Sequence, residues 1–487
     1  MKGAGAVKAV VESRFGFLVL VLTALGALFG VATVTRPAVA TPVAVTPARV
    51  AVESVTTVCP EPGGARVSAL TPPGGRGKGL ATVAEVGAAP EAGAPAASAP
   101  DRPGLLWQRE VPAKSAPLEI SGTGAMASGL EASQTTRNAG GKVRGLAGVR
   151  CAEPGAQAWF IGPGPAAGAD VTLHLANADT AQAVLEIVVY SGEGPVVSES
   201  GSGLVLKPGE HRVVRLRDLA PSPLVMAVEV RTSSGRVAAA ARVVLEKGKG
   251  ADWLPAAAAP ATTVVVPGIP GGGGLRELYV SAPGEADTVV RVKALTADGF
   301  YAMKNRETLE VPAGSTASLD LSTGIGGQPS AVVLTSDVPI VAGLTATGTG
   351  TRQDIAFTAG AGPIDVGSVV ADNRGGKDVS SRLILSAPAA AARVRVQALP
   401  RRGAAPPPVD VAIPAARTEE VELDAPGGRG DFGVVVLPLP GSGPVYGGRV
   451  LDERTGDGLM LTAQPLGPAR TYAVVRPAVE SPAAVLP

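Results

Sequence analysis

The chain has 487 residues, of which 45% are hydrophobic and only 3% aromatic, and its net charge is +1 at neutral pH. That length suits three or four domains. The near-neutral balance, without long charged blocks, gives no electrostatic footing for nucleic acid, and 64 glycines and 44 prolines interrupt the chain too often for a helical fold. Cores must then be built from Val, Leu, Ile and Ala.

Residues 1–40 read as a cytoplasmic start plus an export segment. Phe15 to Val34 is a run of 20 uncharged residues, FGFLVLVLTALGALFGVATV. As a helix it would span roughly 30 Å, about one bilayer core. Lys2, Lys8 and Arg14 precede it, which places the N-terminus in the cytoplasm and the rest outside. Ala38-Val39-Ala40 also forms a small-residue cleavage motif, so release after cleavage near Ala40 stays open beside a single-pass anchor. Export follows under both.

Residues 41–157 form the least regular stretch, an irregular β region opened by a proline-bearing stalk. Ala88 to Pro103 is rich in Ala and Pro and reads as an extended loop. Cys59 and Cys151 are the only two cysteines. In an exported chain such a pair is expected to form one disulfide.

From residue 158 onward the chain repeats itself. Leu173-His174-Leu175, Leu278-Tyr279-Val280 and Leu383-Ile384-Leu385 each open a strand-like run, at intervals of 105 residues. A turn follows in each unit: Lys207-Pro208-Gly209-Glu210, Val311-Pro312-Ala313-Gly314 and Ile413-Pro414-Ala415-Ala416. Later come Gly235-Arg236-Val237, Val338-Pro339-Ile340 and Gly443-Pro444-Val445. Such a period fits a whole small sandwich, and about seven short alternating strands per unit fit an immunoglobulin-like one. The expectation is an all-β chain of three tandem β-sandwich repeats, 158–262, 263–366 and 367–470, with a tail at 471–487.

Chemistry-bearing motifs are sparse. Gly428, Gly430 and Gly433 match G-x-G-x-x-G but sit between strand-like runs, where a phosphate cradle would need a helix N-terminus. Arg429-Gly430-Asp431 is read as a turn, not as an adhesion tripeptide. His174 corresponds to Tyr279 and Ile384, and His211 to Ser315 and Arg417, so no repeat-wide catalytic histidine exists; alternation puts both on outward or edge positions. Asp452, Glu453 and Asp457 crowd one hairpin and are read as solvated charges ahead of a calcium site. Arg212, Arg215 and Arg217 contrast with Glu420, Glu422 and Asp424 on the matching strand of the last repeat, and alternation, with Val214, Leu216, Val421 and Leu423 inward, turns most of these charges out. Trp107, Trp159 and Trp253 are assigned to packing ahead of glycan stacking. No catalytic, cofactor or metal residue is assigned.

Val52-Glu53-Ser54, Val58-Cys59-Pro60, Cys151-Ala152-Glu153-Pro154, Trp159-Phe160-Ile161-Gly162 and the segment Leu173 to Asp179 together resemble an uncharacterised family of exported β proteins from high-GC Gram-positive bacteria, classed as a domain of unknown function. The resemblance implies export, a β fold and an envelope setting. It carries over no catalytic residue. The expected function is a non-enzymatic cell-envelope scaffold or interaction protein, held in the membrane through Phe15 to Val34. Its partner would be an envelope protein or a cell-wall glycan, not nucleic acid. A polysaccharide-binding module is the alternative, ahead of an envelope hydrolase.

Overall fold

The computed structural model describes residues 14–34, 48–75, 77–88, 99–196 and 198–475. Lys2, Lys8, the Ala38-Val39-Ala40 motif, most of the Ala/Pro-rich stretch and the tail beyond residue 475 lie outside them. Two compact units result, one of residues 51–473, the other of the flanking segments. The flanking unit contains the helix Arg14–Val34. Its stretch Phe15–Val34 has a mean hydropathy of 2.5 and no buried residue. The Thr23 and Thr33 hydroxyls donate to the carbonyls of Val19 and Gly30, at 2.7 and 2.9 Å. Such back-bonding satisfies both threonine hydroxyls within the helix. This length and apolarity are compatible with a membrane anchor and with a signal peptide.

Residues 51–473 are all β apart from short helical turns. The last sandwich sets the pattern. Its strands in chain order are Ser368–Gly375, Val379–Ala387, Ala392–Pro400, Val409–Ile413, Arg417–Glu422, Gly430–Pro438, Tyr446–Thr455 and Gly458–Pro465. The first, sixth, third and fourth form one antiparallel sheet; the fifth, second, seventh and eighth form the other. The same strand order holds in residues 157–254 and 261–359, with a short extra strand after the third, Gly194–Val196 and Gly299–Tyr301. In the 261–359 unit the sixth and seventh strands are one, Ser330–Thr347. Its first half pairs in one sheet and its second half in the other. Pro339 lies at the crossing, where a missing N–H costs no ladder bond.

The pattern also occurs in the stretch expected to be irregular. Ser54–Cys59, Leu118–Gly124 and Gly79–Glu85 form one sheet, and Trp107–Glu110, Arg66–Leu70, Glu131–Asn138 and Gly145–Arg150 the other. Only the fourth strand is missing among the described residues, at the place of the Ala/Pro-rich stretch. The strand order is therefore present four times, and residues 54–150 make a first sandwich with its own core of Val55, Val67, Ala69, Leu118, Ile120 and Leu130. Cys59 and Cys151 are bridged beside that core, with Cα atoms 4.3 Å apart.

The sandwiches close on one another in a cycle. In three of the four seams the opening strand of one sandwich packs on the outer face of the second and seventh strands of the next, and between the first and second sandwiches the contact is smaller. Val58 and Val86 meet Ala176 and Ala238. Trp159, Ile161, Tyr190 and Ala227 meet Tyr279 and Val341. Val265, Leu295 and Ala331 meet Ala416 and Tyr446. Val369, Ala371, Leu399 and Val435 of the last sandwich return to Leu70 and Leu106 of the first. The four closing strands touch in the same cyclic order and line the axis.

Candidate functional site: the axis and its cavity

The closing strands Gly145–Arg150, Ala251–Leu254, Ile355–Ala359 and Gly458–Pro465 meet at the centre. They come from different sheets, so backbone ladders cannot satisfy all their inner N–H groups. Two buried aspartates do this instead. Asp354 Oδ2 accepts from the N–H of Leu146 at 3.1 Å and of Leu461 at 3.0 Å. Asp252 Oδ1 accepts from Gly148 N–H at 2.9 Å and from the Thr462 hydroxyl at 3.1 Å. Each carboxylate thus ties two other sandwiches to its own. Burial raises both pKa values, Asp354 to about 6 and Asp252 well above the usual carboxylate range. Close by, Arg449 is fully buried. Burial lowers its pKa, while Asp372, Asp252 and Glu131 supply opposing charge. Glu131 is pushed up to about 7 by burial, against the pull of Arg150.

Beyond the C-terminal ends of the closing strands the chain crosses from sandwich to sandwich. There the crossings border a partly open cavity of 430 Å³. Pro255, Ala256, Ala258, Pro465 and Pro468 give it an apolar surface with Trp253 and Phe160 buried behind, and Arg150, Glu153, Gln464 and Arg470 give it polar groups. Arg150 lies 2.7 Å from Glu131, and Arg470 lies 2.8 Å from Glu153.

The residues singled out from sequence are scattered away from this axis. His174 faces out of its own sandwich, as alternation requires, but is buried under the first one. Its ring lies 5.1 Å from that of Trp253. Burial lowers its pKa to about 4, so it is neutral at pH 7. His211 is exposed on the neighbouring strand, and the two histidines line one recess of about 10 Å³, room for a single water. The hairpin carboxylates are not simply solvated. Asp452 is buried and takes Arg382 and Ser380; Glu453 takes Arg137; Asp457 lies 3.4 Å from Arg352. Asp431 of the Arg-Gly-Asp turn is held by Arg66 at 2.5 Å, across the seam to the first sandwich. Gly430 opens a strand, and no helix follows the glycine motif. Arg215, Glu420, Glu422 and Asp424 lie outward on or beside their strands, Arg212 stands opposite the core residue Leu175 at the sheet edge, and Arg217 lies in a short helical turn, Leu216–Leu219. Trp159 stacks on Tyr190 within a seam, at 5.6 Å. Trp107 is half-buried, with the Arg109 guanidinium 5.8 Å from its ring.

Residues 108–424 match the family of unknown function DUF5719. The chain belongs to this family. The DUF5719 match begins inside the first sandwich and ends inside the last, so it spans the ring rather than one module. No curated protein matches the chain. Among solved structures, Thermotoga maritima 1070 is similar at 20% identity, over 21% of this chain and 93% of that one, with a TM-score of 0.18. Streptomyces avermitilis alpha-L-rhamnosidase, solved with L-rhamnose, is similar at 12% identity over 84% of this chain and 55% of that one, with a TM-score of 0.12. At those TM-scores neither likeness bears on fold or function.

Proposed function

We propose that this DUF5719 protein is exported through its apolar N-terminal helix, as in high-GC Gram-positive bacteria, and serves outside the cytoplasmic membrane as a non-enzymatic scaffold or interaction protein of the cell envelope. The observation that carries this reading is the use made of the buried charge. One oxygen each of Asp252 and Asp354 is engaged by neighbouring strands, and Asp431, Asp452 and Glu453 are engaged by arginines. Acid–base chemistry needs polar groups free to converge on a substrate; here they fasten four sandwiches into one body. The Cys59–Cys151 bridge supports an oxidising location.

The test is residue-specific photocrosslinking in living cells, with the label on the outer strands. One discrete adduct, lost when the ring is opened by mutation, is the expected result. Turnover of a cell-wall polymer abolished by His211→Ala or Asp452→Ala, with the fold intact, would overturn the reading. Binding of cell-wall polysaccharide is the second reading. It is favoured by Phe300 and Tyr301, 44% and 51% exposed on the hairpin strand Gly299–Tyr301. A glycan affinity lost in Phe300→Ala or Tyr301→Ala would move it to first place.

A further inference from the structure

We infer that the axial cavity is a binding site for a small oxyanion carried on an apolar body, such as an aryl or short alkyl carboxylate or phosphate. The inference is independent of the scaffold reading. Its first ground is size and lining. At 430 Å³ the cavity suits a small organic molecule, and Pro255, Ala256, Ala258, Pro465 and Pro468 give it an apolar surface, backed by the buried Trp253 and Phe160. The second ground is an imbalance of donors over acceptors. Arg150 and Arg470 both line it, with side chains 31% and 62% exposed. A guanidinium carries five N–H donors. Among the described residues each of these meets a single carboxylate, Glu131 or Glu153. Their remaining donors meet no protein acceptor among the described residues and are accessible to solvent or to a ligand at the cavity. The Gln464 side chain, with its amide oxygen turned to Val149 and Arg150, accepts from backbone N–H groups 3.0 and 3.2 Å away. That acceptor is already used within the wall. A ligand that fits must bring its own acceptors, and two guanidiniums favour an oxyanion, which they can bind through paired N–H bonds.

Fluorine NMR on the full chain in detergent, with empty micelles as the blank, reads this directly. The probes are 4-fluorophenylacetate, 4-fluorophenyl phosphate and the uncharged 4-fluorophenylacetamide. Saturable binding of at least one anion is expected, with the amide about tenfold weaker, as loss of a charged hydrogen-bonding partner implies. The ratio of the two anions identifies the preferred head group. Arg470→Gln should weaken the anion about tenfold. Gly467→Ala is the second variant. A methyl at Gly467 would overlap the Arg150 guanidinium, so alanine displaces that head while keeping its charge. It should also weaken the anion, whereas Gly456→Ala, which faces open space, should not. Equal binding of amide and anion, anion binding unchanged in both variants, or no saturable binding would each overturn the assignment.

Discussion

Asp354 combines two opposing demands on a single carboxylate. Its oxygen is the acceptor for two N–H groups of other sandwiches, yet burial disfavours its charge. Asp354→Ala leaves both donors unsatisfied and should cost about 2–5 kcal/mol. Asp354→Asn keeps a neutral acceptor and should cost under about 1 kcal/mol at pH 8. Denaturant melts of the two variants separate these outcomes. The pH dependence has a definite sign. The folded pKa of about 6 exceeds the unfolded value, so the folded state holds the extra proton between those limits. Stability from this group is therefore full at low pH and falls as pH rises from about 4 to about 6, by roughly 3 kcal/mol. His174 acts oppositely: its pKa of about 4 lies below the unfolded value, so its contribution grows with pH up to about 6.5. The difference between wild type and Asp354→Asn cancels the histidine. It should shift against wild type from pH 4 to 6 and then stay level; a flat difference across that range would refute the assignment.

At the scale of strands, the second and seventh strands of each sandwich are buried on both faces. His174, Tyr279 and Ile384 are equivalent, all point away from their own core, and are 7%, 2% and 1% exposed. Opposite them stand Ala240, Gly343 and Gly448, and at the two glycines the neighbour's opening strand comes close. A Cβ on Gly448 would lie 2.5 Å from the Gly268 Cα, backbone that cannot swing aside. Gly448→Ala should therefore cost about 1–3 kcal/mol. Gly376→Ala, at an open position, should change stability by less than about 0.5 kcal/mol. Equal melting points for the two would deny the close packing. These seams explain what could be read from sequence and what could not. Period-2 alternation and the landmarks at Leu173, Leu278 and Leu383 give the strands and the sandwich class, because each unit buries its own core. Alternation also gives the outward direction of His174 correctly, but it carries no information about a second layer over that face. The first sandwich escaped the repeat because its second strand is only Arg66–Leu70, with Val67 and Ala69 at the inward positions where the others begin with leucine, and its fourth strand is missing among the described residues. Asp252 and Asp354 left a faint trace: each is a lone carboxylate opening a short apolar run, about one repeat apart.

At the scale of the whole molecule, peptide bonds carry the chain across three of the four seams, and the fourth closes without them. The disulfide strengthens the first sandwich, on which that closure depends. Its sequence separation of 92 residues corresponds to about 4–5 kcal/mol of unfolded-state entropy, so Cys59→Ser with Cys151→Ser should lower the melting temperature substantially. Closure itself has an apolar and an ionic part. Arg137 bonds Glu453 at 2.7 and 2.8 Å, but its side chain is 43% exposed. Such a pair contributes under about 1 kcal/mol. Leu70 is fully buried among Val369, Ala371, Leu399 and Val435, and it faces away from the core of its own sandwich. Leu70→Asp therefore places an unpaired charge in the seam while leaving Val67, Ala69 and Ile120 packed. A closed body of residues 51–473 should have a radius of gyration of about 22 Å. Small-angle scattering on residues 51–473, a compact unit without the helix, should give that value for wild type and for Arg137→Gln. Leu70→Asp should give a larger one, with the strand content unchanged by circular dichroism. An unchanged radius in Leu70→Asp, or an expanded one in wild type, would mean that the four sandwiches do not close as a ring in solution.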